Sequence, residues 1–297
     1  MNQMGTFRDA EQIPLLWINL RRANRRRARM DWALKQGEWK AHRLNAIDAE
    51  DRHEHFLPIS NFLKAGTRIP GIYISDETEP KRMTSRAELA CLASWKHALM
   101  KAKQIKSRSG WVLIMEDDLG ASLAEPNAWR HSLIELIRYC PMHTLVIQLA
   151  PISATVRSQL AQKWKQTKGK CLAVKKEEIR SHGNGAVLLH QSAVDLLIDP
   201  LLWLCSHYKK NLHPLLHPWK IRPVADKWIY GALPEGCCQV ATYPHFCLEA
   251  EDSALHTGHV KAFHKASREI TLDIWKRDNR LGLIKSQQIW DQIVSTT

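Results

Sequence analysis

The chain has 297 residues, 44% of them hydrophobic and 25% charged, the balance of a soluble globular protein, which excludes a disordered or fibrous chain. That length fits one large α/β domain, or one with a smaller appendage, and we expect the single domain. Forty-three Lys and Arg against 30 Asp and Glu give a net charge of +13 and a long-range attraction for polyanions, among them nucleotide phosphates, nucleic acid and anionic membrane.

The first ten residues lack the basic start and apolar core of a secretory signal, so a cytoplasmic location is expected. Ile13 to Leu20 is a short apolar run closed by a basic segment, as a buried strand of a parallel sheet would be. A helix is predicted from Arg25 to Gln36, next to the run Arg21, Arg22, Arg25, Arg26, Arg27 and Arg29. A second strand lies within Trp39 to Ile47 and ends at Asp48, after which the polar stretch to Arg82 reads as an irregular loop or lid.

Ser85 and Glu88 have the spacing of a helix capping box, and Leu89, Leu92, Ala93, Leu99 and Met100 mark an apolar helical stripe after it. Gly110 ends the following linker. Trp111 to Met115 is then a strand that runs directly into Glu116, Asp117 and Asp118. Beyond it we expect a helix from about Ala128 to Tyr139 and strands at Thr144 to Leu149, Cys171 to Val174 and Gly185 to His190. Helices follow at Ser192 to Ile198 and Asp226 to Leu233. This alternation implies an α/β fold with a mainly parallel central sheet flanked by helices.

The most apolar stretch, Val194 to Cys205, is broken by Asp195, Asp199 and Pro200 and is too short to cross a bilayer. It reads as a buried helix and its turn. From His259 the chain is basic and helical, with Phe263, Ile270, Ile274 and Ile284 as apolar contacts. Residues 1–258 are therefore expected to form the principal domain, with residues 259–297 a helical extension packed on it. Seven cysteines without a CxxC pair read as reduced core residues. The pairs His53/His55 and His213/His217 lack Cys partners at zinc spacing and read as solvated loop residues.

Ligands of open α/β sheets collect outside the carboxyl ends of the strands, so three consecutive acids at such an end are placed for chemistry. Their hard oxygens suit magnesium or manganese, which bridge a diphosphate and neutralise charge on a leaving group. A solvated acidic turn is the plain alternative. Arg22 and Arg26 have planar forks that reach phosphates, and the other four arginines of the run are expected to be solvated. Gly183, Asn184 and Gly185 would let backbone approach a sugar, or simply form a strand-entry turn.

The segments WINLRRANRRRARM, AELACLASWKHAL, VLIMEDDL, HGNGAVLLHQSAVDLL and PVADKWIYG, in this order between about Ile13 and His256, resemble glycosyltransferase family 25, the lipopolysaccharide and collagen galactosyltransferase-like family. The resemblance implies a GT-A fold and inverting transfer from a nucleotide-sugar donor, often a UDP-hexose such as UDP-galactose, to a saccharide or glycoconjugate acceptor. It aligns Asn19, Leu20 and Arg26 with the family's first-strand motif, Asp48 with its Ala-x-Asp turn, and Cys91 and Ser94 with its pre-acidic helix. Glu116, Asp117 and Asp118 match its acidic motif, which implies that Glu116 and Asp118 hold the ribose and a metal-bound diphosphate. Manganese is expected before magnesium.

Asp226 matches the family's later aspartate and is the implied base, although a helix N-cap explains it equally well. Glu251 and Asp252 are alternative bases, and His245, His256 and His259 are candidates to complete a metal site, with His256 the one we assign. The chain departs from the family at Arg21, where an acid is usual, at Trp95, where histidine is usual, and at Ala49, where glycine is typical. Two rival readings stay open: a nucleic-acid-binding protein, and an inactive relative that kept the fold as a binding module. The first has no binding motif behind it, so no nucleic-acid partner is expected. The charge leaves room for a peripheral contact with the inner face of an anionic membrane.

Overall fold

The computed structural model describes residues 13–50, 69–70, 83–84, 86–128, 133–198, 224–248, 258 and 263–293. In chain order the first elements are β1 (Leu15–Asn19), α1 (Asn24–Gln36), β2 (Ala41–Asn45), β3 (Ile69–Pro70), β4 (Met83–Thr84), α2 (Arg86–Gln104) and β5 (Trp111–Glu116). They are followed by α3 (Leu133–Tyr139), β6 (Val146–Gln148), α4 (Ala154–Gln166), β7 (Ala173–Lys175), β8 (Ala186–His190) and α5 (191–198). The last are α6 (Ala225–Gly231), β9 (Cys238–Ala241), α7 (Lys265–Arg277) and α8 (Leu281–Gln292).

Seven strands form one sheet in the order β2-β1-β5-β8-β6-β9-β7. Strands β2, β1, β5, β6 and β9 share one direction, as expected of a mainly parallel sheet, while β8 and β7 run against their neighbours. Because β8 is reversed, its start at Ala186 lies beside the ends of β5 and β6. The stretch expected to be irregular contributes β3, which pairs antiparallel with β4 just after it; residues 51–68 and 71–82, with His53 and His55, lie outside the described residues, as do His213 and His217.

Both faces of the sheet are covered, which is why β1 and β5 read as unbroken apolar runs. Leu16, Ile18, Val112, Ile114, Val187 and Leu189 face α2, α5 and α6, with Trp95, Leu99, Leu197 and Trp228 buried among them. The alternate residues Leu15, Trp17, Leu113, Met115 and Leu188 face α1, α7 and α8, with Met30, Trp275, Leu283 and Trp290. Of the stripe expected on α2, Leu92, Ala93 and Leu99 are buried but Met100 is 43% exposed, since the fully buried Trp95 takes the inner face. Ser85 and the side chain of Leu89 lie outside the described residues. Ile274 is buried and Ile270 and Ile284 pack on the core, whereas Phe263 is exposed.

The arginine run departs most from expectation. Arg29 is buried, and with Arg25 it holds the end of α8: Arg25 Nε donates to Ile293 O at 3.2 Å and Arg29 Nη2 to Asp291 O at 3.1 Å. The last carbonyls of a helix have no partner within it, and these two guanidinium groups supply one. A second buried arginine, Arg157 of α4, donates to Pro151 O, Phe246 O and Thr271 Oγ1, all at 2.7 Å, and so ties α7 to the domain. The six described cysteines are free, but only Cys238 and Cys247 are fully buried. Among the described residues, no helix is long and apolar enough to cross a membrane.

Candidate functional site

A cleft of about 390 Å³ opens at the carboxyl ends of β2, β1 and β5, with α2 as its far wall. Ile18, Leu20, Ala46, Ile47 and Ala49 give it apolar surface; Arg22, Asp48 and Glu50 stand at one side and Glu116, Asp117 and Asp118 at the other. The acids are delivered by β5, whose register is fixed up to its last residue by the bond from Glu116 N to Gly185 O at 2.7 Å.

The three acids have different surroundings. Glu116 Oε1 accepts a hydrogen bond from Trp95 Nε1 at 2.9 Å and faces the Cys91 thiol at 3.8 Å. Burial, then the neighbouring charge of Asp118, pushes its carboxyl up to about 7. Asp117 turns inward: its Oδ2 accepts from Asn19 Nδ2 at 2.6 Å and its Oδ1 from Arg26 Nη1 at 3.3 Å. Burial holds it at about 6 although Arg26 and Asn19 pull the other way. Asn19 Oδ1 in turn accepts from Arg43 Nε at 3.0 Å. Asn19, Arg26 and Asp117 thus form an internal brace joining β1, α1, β2 and the end of β5. Asp118 lines the cleft, and its buried Oδ1 has no hydrogen-bond partner among the described residues.

On the opposite rim, Arg22 Nε bonds Asp48 Oδ2 at 2.7 Å and Arg22 Nη2 reaches Glu50 Oε1 at 3.1 Å. The Arg22 side chain is half exposed, so the pair adds little to stability and is open to exchange for another anion. Ser94 Oγ accepts from Ile47 N and donates to Ala90 O, both at 2.8 Å, which clamps the loop after β2 against α2. Leu20 lines the cleft, and its carbonyl accepts from Ala23 N at 3.0 Å at the turn into α1.

Asp226 lies in the first turn of α6, but the N-cap there is Val224, without a side-chain bond; the N-cap reading of Asp226 is corrected. Its Oδ1 accepts from Lys227 N at 2.8 Å and its Oδ2 from Gly183 N at 3.4 Å. It does not line the cleft itself. Its helix packs on α2, and burial followed by the charges of Glu116 and Asp226 holds the Cys91 thiol well above its ordinary range, so both carboxylates act on one side chain of the cleft wall.

Gly183 has φ +95°, which favours glycine, and a Cβ on Gly185 would come within 2.6 Å of Leu119 Cδ2, so the two glycines serve a turn and a close packing. Asn184 between them is buried, and its Nδ2 has no partner among the described residues. His245 is buried beside Tyr243 and Phe246. His256, His259, Glu251 and Asp252 lie outside the described residues. Among the described residues, no group of three or more His, Cys, Asp and Glu is gathered as a metal site.

Two features escaped the sequence reading. The indole of Trp95, which the sequence singled out only as a departure from the resemblance, is the donor that holds Glu116. A polar network of Lys176, Gln148, Ser181 and Tyr230 surrounds the backbone next to Asp226; a lysine in a Lys-Lys-Glu-Glu segment carries no signal of burial. The loop after the acids is also tighter than it reads. A Cβ on Gly120 would meet Met30 Sδ at 2.2 Å and Trp290 at 3.1 Å. Gly120→Ala is expected to cost about 1–3 kcal/mol by overpacking, seen as a lower melting temperature; an unchanged melting curve would show that this loop yields.

A ligand cleft at the carboxyl ends of adjacent parallel strands, entered by acids from the end of β5, is the arrangement of an α/β ligand-binding enzyme. Residues 12–140, which include all three cleft-forming strands, match the family described as Glycosyltransferase family 25 (LPS biosynthesis protein). Among solved structures the chain is similar to the galactosyltransferase LgtC in complex with donor and acceptor sugar analogs, at 12% identity and a TM-score of 0.36, over 77% of this chain and 73% of that one. It is also similar to mouse xyloside xylosyltransferase 1 in its apo form, at 11% identity and a TM-score of 0.32, over 74% and 80%. No curated protein matches the chain by sequence.

Proposed function

We propose that this glycosyltransferase moves a hexose, galactose first among them, from a UDP-sugar to a hydroxyl of a saccharide or glycoconjugate, with inversion and with a divalent cation, manganese before magnesium. The observation that carries the reading is the pair Glu116 and Asp118 facing one cleft within the stretch that matches family 25.

The residues fit a hard cation. Asp118 offers a buried oxygen without a partner among the described residues, and its charge disfavours that of Glu116 until a cation lies near both. When bound, that cation would neutralise the donor diphosphate and the charge that grows on it as it leaves. Asp117, braced by Asn19 and Arg26, orients the acidic turn; Arg22 exchanges Asp48 and Glu50 for phosphate oxygens. Leu20, Ile47 and Ala49 offer apolar surface to the nucleoside, Ser94 holds the loop that carries two of them, and Asn184 and Gly185 border the acids. In the inverting step the acceptor oxygen bonds to the anomeric carbon as the bond to the diphosphate oxygen breaks, and Asp226 receives the acceptor's proton. A net charge of +13 suits work in the cytoplasm against an anionic membrane face that presents such acceptors.

Thermal unfolding with UDP tests the donor half. UDP with manganese is expected to raise the melting temperature by several degrees, and UDP alone by much less, since a ligand at 100 times its Kd adds about 2.7 kcal/mol to the native state. Asp118→Asn should abolish the difference while leaving the melting curve of the free protein in place. Equal shifts with and without manganese would remove the cation from the proposal.

A further inference from the structure

Lys176 opens the single turn Lys176–Glu178 after β7, at the edge of the sheet, yet its ammonium group points inward. Nζ donates to Gln148 Oε1 at 3.0 Å, to Ser181 O at 2.6 Å and to Ser181 Oγ at 2.7 Å, and lies 4.0 Å from the centre of the Tyr230 ring. All three donors are used. The groups it holds are those that hold the next residues of the loop. Gln148 Nε2 donates to His182 O at 3.0 Å and also to Gly183 O, and Tyr230 OH donates to Gly183 O at 3.0 Å. Gly183 N then donates to Asp226 Oδ2.

We propose that Lys176 is a positioning residue for Asp226, acting through residues 181–183 and through Tyr230 on the same helix as Asp226. This rests on the reading of Asp226 as the base. A buried ammonium costs more than an apolar side chain of the same length, so cohesion alone is better served by methionine. A lysine here fixes one arrangement of several polar groups at once. Burial draws its ammonium down to about 8, with the charge of Asp226 foremost among the effects that oppose the fall. A displacement near 1 Å at a reacting group costs about 100-fold in rate, and loosening this hub loosens the bond from Gly183 N that joins Asp226 to the loop before β8.

The test uses the full chain with manganese, with UDP-galactose hydrolysis as the reaction and water as acceptor. Lys176→Met is expected to lower kcat about 10- to 100-fold, with KM for UDP-galactose and the UDP-dependent rise in melting temperature unchanged. Hydrogen exchange at residues 181–185 should quicken without a matching change in β1 or β5. Ser181→Ala, which removes one acceptor of Lys176, should lower kcat less and in the same manner; it serves if the methionine variant does not fold. An unchanged kcat in a folded variant overturns the proposal, as does a fall in kcat accompanied by loss of UDP binding. Asp226→Asn hydrolysing at the unmodified rate would sink the reading of the base, whereas Lys176→Met at full kcat beside an inactive Asp226→Asn would sink the positioning role alone.

Discussion

Asp226→Asn is expected to lower transfer by about 100- to 10,000-fold while leaving donor affinity in place. The amide keeps the shape of the carboxylate, and its Oδ can still accept from Gly183 N or Lys227 N, the two bonds that fix the side chain. It cannot take a proton from an acceptor hydroxyl. Because that transfer occurs only in the transition state, its loss lowers turnover without a matching loss of ground-state binding. The position of Asp226 outside the cleft lining sharpens the expectation, since a residue that does not face the donor has no reason to weaken UDP binding when neutralised. Titration with UDP and manganese beside a product assay checks both halves. Transfer at the unmodified rate would move the base elsewhere, with Glu251 and Asp252 the next to replace.

Glu116→Gln should have the second large effect, and it should depend on pH in a set direction. The folded protein holds the Glu116 proton up to about 7, whereas an unperturbed glutamate releases it near 4.5. Stability from this group is therefore full below 4.5 and is lost as pH rises through 7, because the folded state binds the proton more tightly than the unfolded one. Asp117, raised from 3.8 to about 6, adds a decline of the same sign at lower pH. Glutamine imitates the protonated acid. Without metal, the variant should match the unmodified protein near pH 4 and exceed it at pH 8 by on the order of 1–3 kcal/mol, while manganese-dependent binding of UDP disappears. Parallel melting profiles from pH 4 to 8 would mean that Glu116 is as well solvated folded as unfolded.

How much of this was legible in the sequence depended on how local the cause was. The strands that build the cleft were readable because β1 and β5 are buried on both faces and so appear as unbroken apolar runs, and the acids were readable as the residues that end the second run. Strand β9 and helix α4 were not foreseen. Cys238 and Gln239 break the apolar pattern of β9, and α4 alternates lysines and glutamines with its buried Val156, Leu160 and Trp164. The partners of the acids were not legible at all. That Asp117 would be spent on Asn19 and Arg26, and Glu116 on Trp95, depends on bonds spanning 98, 91 and 21 positions, which only the fold brings together. The same holds for Arg25 and Arg29, which read as a solvated basic face and are structural.

Those two arginines bear on where the chain can be divided. Arg22, in the turn before α1, and Arg26, in its first turn, line the cleft, while Arg25 and Arg29 of the same helix grip the carbonyls at the end of α8, more than 260 positions later. The stretch matched by the family stops at residue 140, but β5 is flanked by β8, and β8 by β6, so the sheet that holds the acids is completed by the second half of the chain. A fragment ending there would have an open strand edge beside β5 and would lose the bonds from Arg25 and Arg29 to the end of α8. The last helix is in this sense a keystone: it lies outside the matched stretch, yet with Leu283 and Trp290 it closes the core on the sheet face away from α2.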